Sequence, residues 1–524
     1  MAKHHFEALV FSRYVASCWI VAHHFYGQTP RGAPGPAFAG VALSQENFEI
    51  ATRLFNWGTF WTQYFFFLSG FVLAVARLTS SKPDELKSTF RFVLERLTTT
   101  YPTYLLSLAL MVCNRGPDFV KMFYADWVNL GLHVCLLQAW WPGMVCATKG
   151  PVPFFNKKYE TALIHWNTPA WFMSALAFYW ILFKPLYRCL RRLPSKSLLP
   201  VMISLWIFGS NLAFFDSAIF RPSASIKGQR DAFYRYHPCF YIHVFFAGMV
   251  FARLFLEENL CDVGLFFGKE KKTTKASTDR PLTQSWSRVQ KTDPLEEAEW
   301  HYLAFLTKRF VDRGATIAYF LVFLVASQVS VDTISGNGKA LFFFWHNGGL
   351  IPLFALLVAG LCSDRDLVTT LFKRPLFTTI GAISYAQYIL QGVIFRLVTQ
   401  AYKAAYYANG GSEKPQHLHG HWTFQLLLPT TLFLSAMLTH YFFSLPCAAH
   451  IRHKLENLFS ASKANKSLFH CWEKQQTTSF EGSSSSYGTT GTTVSSSSKN
   501  KKQPTLLAAA ASTDPEVGRS HGAV

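Results

Sequence analysis

The sequence predicts an all-α, polytopic membrane helix bundle of about ten transmembrane helices, followed by a disordered C-terminal tail. Of the 524 residues, 50% are hydrophobic and only 15% are charged, whereas soluble domains carry about a quarter of charged residues. Long apolar runs with few or no charges recur along the chain, and about 18 such residues suffice for a transmembrane helix. The predicted spans are 8–26, 54–76, 97–114, 161–183, 197–215, 236–252, 314–331, 340–363, 375–395 and 422–445.

Basic residues give these spans an orientation. The formal charge of +20 is concentrated in short loops after the second and fourth spans, in the long polar loop 253–313 and in the tail. Because loops rich in Lys and Arg face the cytoplasm, we expect both termini there, without a cleavable signal peptide. The same distribution argues against nucleic acid as a partner. One predicted outer segment, 217–237, is an exception with four basic residues: Arg221, Lys227, Arg230 and Arg235.

Composition divides the chain into two parts. Residues 1–455 are predicted to form one continuous helical domain, and 456–524 a Ser-rich, disordered cytoplasmic tail with too few apolar residues to bury a core. The long loop and this tail are typical of eukaryotic proteins, which suggests an endomembrane or the plasma membrane. The segment 126–141 is interpreted as an interfacial or re-entrant helix, since an extra span there would invert all that follows. It ends in Trp140 and Trp141, expected at headgroup level.

The ten cysteines indicate no metal site, because they are scattered without a CxxC pair or His/Cys ligand spacing. Cys135 and Cys146 share one predicted outer loop. A disulfide and two unpaired thiols remain alternatives there.

The first span places an arginine and a histidine on one face. Arg13 and His24 are eleven residues apart, so on an α-helix they point within about 20° of each other, about 16 Å apart along the axis, with Ser17 on the same stripe. Ionisable residues inside membranes mark substrate or proton pathways, which predicts a cavity with His24 as general base. The alternative is that Arg13 snorkels to the inner headgroups and His24 caps the outer interface. His23 points about 100° away and is the less favoured partner.

Two further stretches carry polar groups at or near spans. Ser69 and Gly70 interrupt an aromatic span, which favours close helix packing. Arg77 follows the second span, and Arg91 and Arg96 precede the third. These arginines are either topogenic charges or ligands for phosphate groups.

Together these stretches resemble the acyltransferase 3 family of membrane O-acyltransferases. The family's Arg-x10-His motif is matched by Arg13 and His24, and its "FFxLSGF" motif by residues 65–71. Its third-span motif is matched at Arg91, Phe92, Arg96, Pro102 and Tyr104. Two later spans are also similar to family motifs, through Trp171, Ser174 and Pro185 and through Gly381, Ser384, Tyr385 and Tyr388. The resemblance covers roughly residues 6–450.

The chain departs from the family pattern at three positions. Leu176 stands where many bacterial members carry a glutamate, and Gln391 where many carry a histidine. Ser444 stands at the glutamate of an "ExP" motif, with Pro446 retained. These departures put in doubt any acid that would orient His24, and they argue for an acceptor different from the bacterial ones.

The resemblance implies an enzyme that moves an acyl group, expected to be acetyl, from cytoplasmic acyl-CoA to a hydroxyl of a carbohydrate, lipid or small metabolite. Acyl-CoA is the implied co-substrate, no metal is implied, and membrane lipids surround the protein. His24 would accept the proton of the attacking hydroxyl, and Arg13 would hold the cofactor or polarise the thioester carbonyl. The cofactor-binding candidates are Arg77, Arg91, Arg96 and Ser69. Direct transfer is preferred to an acyl-enzyme because no serine lies beside His24 in sequence; Ser69 is the outside candidate for a nucleophile.

Two rival functions stay open. A secondary transporter or channel would place Arg13 and His24 on its permeation path, but the two halves lack a matched pair of broken helices. A catalytically inactive family member acting as a scaffold is suggested by Leu176 and Gln391. Six tryptophans are expected either to stack on a sugar acceptor or to form the interfacial aromatic belt: Trp57, Trp61, Trp140, Trp141, Trp166 and Trp171.

Overall fold

The structure, a computed structural model, describes residues 6–25, 37–38, 41–42, 45–80, 88–114, 130–140, 167–219, 233–257, 309–329, 331, 339–363, 365–411 and 421–459. The chain divides into two units, Met1–Leu455 and Glu456–Val524, and only residues 456–459 of the second are described. The predicted disordered tail, most of the predicted loop 253–313, and Trp141, Cys146 and Trp166 therefore lie outside the described residues.

Within the described ranges the protein is almost entirely helical. The exception is a short antiparallel pair, β1 (Ala37–Phe38) and β2 (Val41–Ala42), in which Ala37 lies opposite Ala42. The α-helices, in chain order, are α1 (Glu7–Phe25), α2 (Gln45–Asn56), α3 (Thr62–Leu78), α4 (Thr89–Cys113), α5 (Trp171–Arg192), α6 (Leu198–Ile219), α7 (Ile242–Glu257), α8 (Gly314–Gln328), α9 (Lys339–Phe344), α10 (Ile351–Leu361), α11 (Leu367–Phe372), α12 (Pro375–Ala382), α13 (Ser384–Ala408) and α14 (Trp422–Leu438).

The predicted all-α membrane bundle is confirmed, since each predicted span overlaps at least one of these helices. Four helical segments of the described chain are long and apolar enough to cross a membrane: Glu49–Leu78, Pro238–Glu257, Leu341–Leu361 and Thr423–Phe459. Gly314–Gln328 is apolar but shorter.

Close packing of α3 against α7 forms the centre of the bundle. Gly70 of α3 faces the backbone of Phe245, and Gly248 of α7 faces the backbone of Phe67, so a β-carbon at either glycine would collide with a carbonyl oxygen. Small residues allow helices to approach this closely in membranes. The packing role predicted for the Ser69-Gly70 pair is thus confirmed at Gly70.

The first helix lies beside α13, and the two run in the same direction. Gly381, just before α13, packs on the backbone of Val10, Gln387 bonds Cys18, and Phe395 stacks on Phe25. Below, the two ends of this helix pair are called the Arg13 end and the His24 end of the bundle.

One predicted span, 340–363, is broken in the structure rather than continuous. Between α9 and α10 the chain forms a π-helical turn, Trp345–Gly349, and Gly348 has φ of 118°. Glycine adopts this conformation without the steric cost of a side chain, and a β-carbon there would also meet His243. The break turns His346 and Asn347 into the bundle, where both are buried.

The segment predicted as an interfacial or re-entrant helix, 126–141, is described from residue 130. Residues 130–134 are helical, and the helix stops before Leu136, whose φ is 58°. The chain then docks on α5, because the Ser174 hydroxyl donates a hydrogen bond to the Leu136 carbonyl at 2.6 Å. Trp140 packs edge-on against Phe178.

Candidate active site

A cavity of about 360 Å³ opens beside Arg13, between α1, α3, α4, α5 and α13. Its walls are mostly apolar, and its polar side chains include Arg13, Ser69, Arg96, Ser384 and Tyr385. Its volume falls at the small end of small-molecule sites, about 300–1,000 Å³. Three of the predicted site residues therefore share one cavity.

The Arg13 guanidinium has no hydrogen-bond or ion-pair partner among the described residues. Nearby Tyr64 pairs its hydroxyl with Ser12 instead, at 2.6 Å. An arginine within a membrane span is costly unless it meets a partner or lines a water-filled space. This geometry favours the predicted cavity lining over a snorkelling arginine.

A second cavity of about 180 Å³ continues the first and shares Leu73, Arg96 and Trp180 with it. Arg77 and Lys184 line this second part. The combined space runs from Arg13 past Arg96 to Arg77 and Lys184, so that its cations outnumber the one carboxylate among its described lining residues, Glu95. Such a lining suits a ligand with several negative charges.

Arg91, also predicted to bind cofactor, lines neither cavity. Its Nε donates to Glu95 Oε1 at 3.0 Å in an i,i+4 ion pair. Five helical residues rotate a side chain by about 140°, so Arg91 and Arg96 cannot face the same space. The third-span motif includes both arginines, but only Arg96 lies on the face of α4 that lines the cavity.

A further arginine reaches this region from the C-terminal helix, which continues past the predicted span to residue 459. The hydroxyls of Thr103 and Ser444 are 2.5 Å apart, where α4 and this helix run in opposite directions. Arg96 lies seven residues before Thr103 and Arg452 eight residues after Ser444, hence at similar height. Arg452 lies within electrostatic range of Arg96. Because the predicted span ends at 445, sequence reasoning missed Arg452.

His24 is oriented by Gln391 of α13. The Gln391 amide nitrogen donates to the Tyr388 carbonyl at 2.8 Å, so its oxygen faces His24 Nδ1 at 2.9 Å. An amide oxygen only accepts hydrogen bonds, and Nδ1 must therefore carry the proton. The lone pair of neutral His24 then lies on Nε2, where a general base needs it. Sequence reasoning noted Gln391 only as a departure from the family pattern and missed this role.

His24 does not line either cavity. Three rings, Phe65, Phe172 and Tyr388, pack together with centroids 5.3–6.0 Å apart, at the end of the cavity nearest Gln391. Tyr388 precedes Gln391 by one helical turn, so these rings separate the Arg13 cavity from His24.

Polar atoms line the interval between Arg13 and His24. The Ser17 hydroxyl and the Gln387 side-chain oxygen are buried there without a hydrogen-bond partner. Buried polar atoms without partners are rare and need an explanation, such as a ligand or water. Ser17 lies on the predicted stripe, and Gln387 lies beside Cys18, so both groups fall between Arg13 and His24 along α1.

Other predicted positions are placed as follows. Leu176 lines the Arg13 cavity, and Ser444 is tied to Thr103. Ser69 lines the cavity, and no contact in the described chain joins it to His24.

Three of the predicted sugar-stacking or belt tryptophans are buried, and Trp140 is partly buried. Trp57 and Trp61 are each 1% exposed and Trp171 is 8% exposed. Trp57 donates to the Val329 carbonyl at 2.8 Å, and Trp61 stacks on Trp19 at 5.2 Å. These three side chains therefore pack the core.

Within the described ranges, no three His, Cys, Asp or Glu side chains converge as ligands of a metal ion.

The acyltransferase 3 family model, described as an acyltransferase domain, matches residues 7–440. No curated protein and no solved structure matches the chain. The matched range includes Arg13, the cavity, Gln391 and His24, and it spans most of the chain. The protein therefore belongs to the acyltransferase 3 family of membrane acyltransferases.

Proposed function

We propose that this acyltransferase moves an acyl group, most simply acetyl, from cytoplasmic acyl-CoA to a hydroxyl of a carbohydrate, lipid or small metabolite. The observation that carries the proposal concerns the two ends of α1. At one end, Arg13 lies in a cation-lined cavity without a partner among the described residues; at the other, the Nε2 of His24 is available as a base. Both termini and the Arg13 end would face the cytoplasm, since the basic loops predict that orientation. The protein would act in an endomembrane or the plasma membrane.

The cavity at the Arg13 end supports binding of the CoA part. Arg96 lies at the junction of its two parts, with Arg77 and Lys184 in the second part and Arg452 beside Arg96. CoA carries several phosphate charges, which guanidinium groups bind through paired hydrogen bonds. A space of about 360 Å³ suits part of the pantetheine arm, and the phosphates would lie at its mouth.

The length of α1 favours one of the two roles considered for Arg13. Eleven residues separate Arg13 from His24, which corresponds to about 16 Å along the helix axis. A thioester within reach of a hydroxyl bound at His24 is then too far away for Arg13 to contact its carbonyl. This distance favours Arg13 as a cofactor-binding residue, with the pantetheine arm extending past Ser17 toward His24.

At the His24 end the chemistry is direct transfer. His24 Nε2 takes the proton from the acceptor hydroxyl as the hydroxyl oxygen attacks the thioester carbonyl carbon. The carbon–sulfur bond breaks, the ester forms, and the CoA thiolate recovers the proton from His24. Gln391 keeps the ring in the tautomer that this step needs. The rings of Phe65, Phe172 and Tyr388 must move apart for the arm to pass.

The test uses purified full-length protein in phosphatidylcholine nanodiscs with [14C]acetyl-CoA. We expect consumption of the thioester with release of free CoA, and loss of this activity in His24→Ala while the Tm and the size-exclusion profile stay unchanged. Thioester turnover by His24→Ala equal to that of the native protein would overturn the mechanism. Absence of turnover by the native protein, with any hydroxyl acceptor, would favour the inactive scaffold instead.

A further inference from the structure

One arginine at the His24 end is not used by the mechanism above. Arg235 belongs to the predicted outer segment whose basic residues run against the charge rule. Its guanidinium carbon lies 4.6 Å from the ring centre of Phe342, and its Nε is buried. The side chain is therefore turned into the protein at the end of the bundle where His24 lies.

Within the described part of the chain, the surroundings of Arg235 offer it no counter-charge. Its Nε has no hydrogen-bond partner, and no carboxylate among the described residues pairs with its guanidinium. The ionisable side chains within electrostatic range include His23, His346 and Tyr241. None of them carries a negative charge at neutral pH, because histidine is neutral or cationic and tyrosine titrates at about pH 10.

The Tyr241 hydroxyl links the backbone of Arg235 to the side chain of His346. The Tyr241 hydroxyl donates its only proton to the Arg235 carbonyl at 2.6 Å, so it accepts from His346 Nδ1 at 2.8 Å. Phe342 stacks on His346 with centroids 5.2 Å apart. The guanidinium and the imidazole are thereby positioned before any ligand arrives.

His23 lies close both to Arg235 and His346 and to His24. Its ring centroid is 5.4 Å from that of His24, and it lies within electrostatic range of Arg235 and His346. Its Nδ1 is buried without a hydrogen-bond partner. A ligand on Arg235 would thus have His23 beside it and His24 as the next side chain.

We propose that Arg235 binds an anionic group of the acceptor, a carboxylate or a phosphate, while a hydroxyl of the same molecule reaches His24. A half-buried guanidinium without a counter-charge gains most from an oxyanion, which it binds through two parallel N–H···O bonds. The shared chemistry is a hydroxylated oxyacid, supplied either by a sugar acid or by a phosphate-containing lipid headgroup. This inference rests on the proposed function, because it presumes that an acceptor reaches His24.

The test compares acceptors of matched shape in phosphatidylcholine nanodiscs with [14C]acetyl-CoA. The soluble arm uses methyl glucuronide and its neutral counterpart methyl glucoside, and the lipid arm uses nanodiscs with phosphatidylglycerol and no soluble acceptor. Binding of each probe is also followed by tryptophan fluorescence, independently of turnover. The variants are Arg235→Met, Arg235→Lys and a control, Arg396→Met, which removes a cation about 140° around α13 from Gln391.

We expect one anionic acceptor to be preferred over methyl glucoside in kcat/KM by about tenfold or more, the effect of a charged hydrogen-bonded pair. Arg235→Met should bring that ratio close to one and weaken anion binding by about tenfold or more. Arg235→Lys should restore part of the binding, and Arg396→Met should leave the ratio unchanged.

Equal use of neutral and anionic acceptors, or anion binding that does not depend on Arg235, would overturn the inference alone. The proposed function would still stand in that case, because His24-dependent consumption of acetyl-CoA is measured in the same samples. If the native protein shows no His24-dependent consumption of acetyl-CoA, the proposed function is overturned. The fluorescence titration would still decide whether Arg235 binds an anion.

Discussion

Replacing Gln391 by leucine tests how His24 is set up as a base. The substitution keeps a side chain of similar size but removes the oxygen that accepts the Nδ1 proton at 2.9 Å. His24 is then free to place its proton on Nε2 and to rotate, and both changes reduce the fraction of molecules with a usable lone pair.

The magnitude follows from one buried hydrogen bond. Leaving a buried donor without its partner costs about 1–3 kcal/mol, which corresponds to a loss of about 5- to 150-fold in rate. We expect this loss in kcat, with the KM for acetyl-CoA unchanged, because neither Gln391 nor His24 lines the Arg13 cavity.

The assay is [14C]acetyl transfer at saturating acetyl-CoA. Gln391→Glu should recover part of the rate, since a carboxylate accepts the bond from His24 but cannot donate to the Tyr388 carbonyl. Gln425→Leu is the control at another buried glutamine. A Gln391→Leu protein with the native kcat, or with a raised KM and native kcat, would refute the role given to Gln391.

Three further outcomes are expected. Arg13→Met should raise the KM for acetyl-CoA by about tenfold or more, as the loss of a charged contact to the cofactor requires; an unchanged KM would exclude Arg13 from the donor site. Arg96→Gln should raise the KM for acetyl-CoA but not for S-acetyl-pantetheine, which lacks phosphates, whereas Arg91→Gln should change neither. An equal effect of the two would contradict the cavity assignment. Gly70→Ala should destabilise the fold by about 1–3 kcal/mol and lower the Tm, because its methyl group meets the Phe245 carbonyl. The control is Gly131→Ala, whose methyl group meets nothing within 4 Å and should leave the Tm unchanged.

Much of the fold follows from local properties of the sequence. Apolar runs predict the helices because the membrane requires internal hydrogen bonding of the backbone, and α1 ends within one residue of its prediction. The break at Gly348 is different: Asn347, Gly348 and Gly349 form dipeptides typical of turns, but they lie inside an apolar run that predicts a continuous span. Gly348 has a positive φ, and a β-carbon there would meet His243 of α7, which is distant in sequence.

Only those parts of the candidate site whose residues share one helix were predictable from the sequence. The face shared by Arg13 and His24 follows from helical periodicity, and the same periodicity separates Arg91 from Arg96. Gln391 and Arg235 could not be assigned in this way. The role of Gln391 arises from its contact with His24, which is 367 residues away in sequence. The role of Arg235 arises from the inward turn of its side chain in a segment that the order of the spans places outside.

The central claim is that one end of α1 binds the donor and the other performs the chemistry. It is tested most directly by measuring, in one preparation of His24→Ala, the Kd for [14C]acetyl-CoA and the rate of acetyl transfer. We expect the native Kd, because the donor cavity does not include His24, together with no transfer above background. Transfer at the native rate, or a loss of acetyl-CoA binding as large as that in Arg13→Met, would contradict the account.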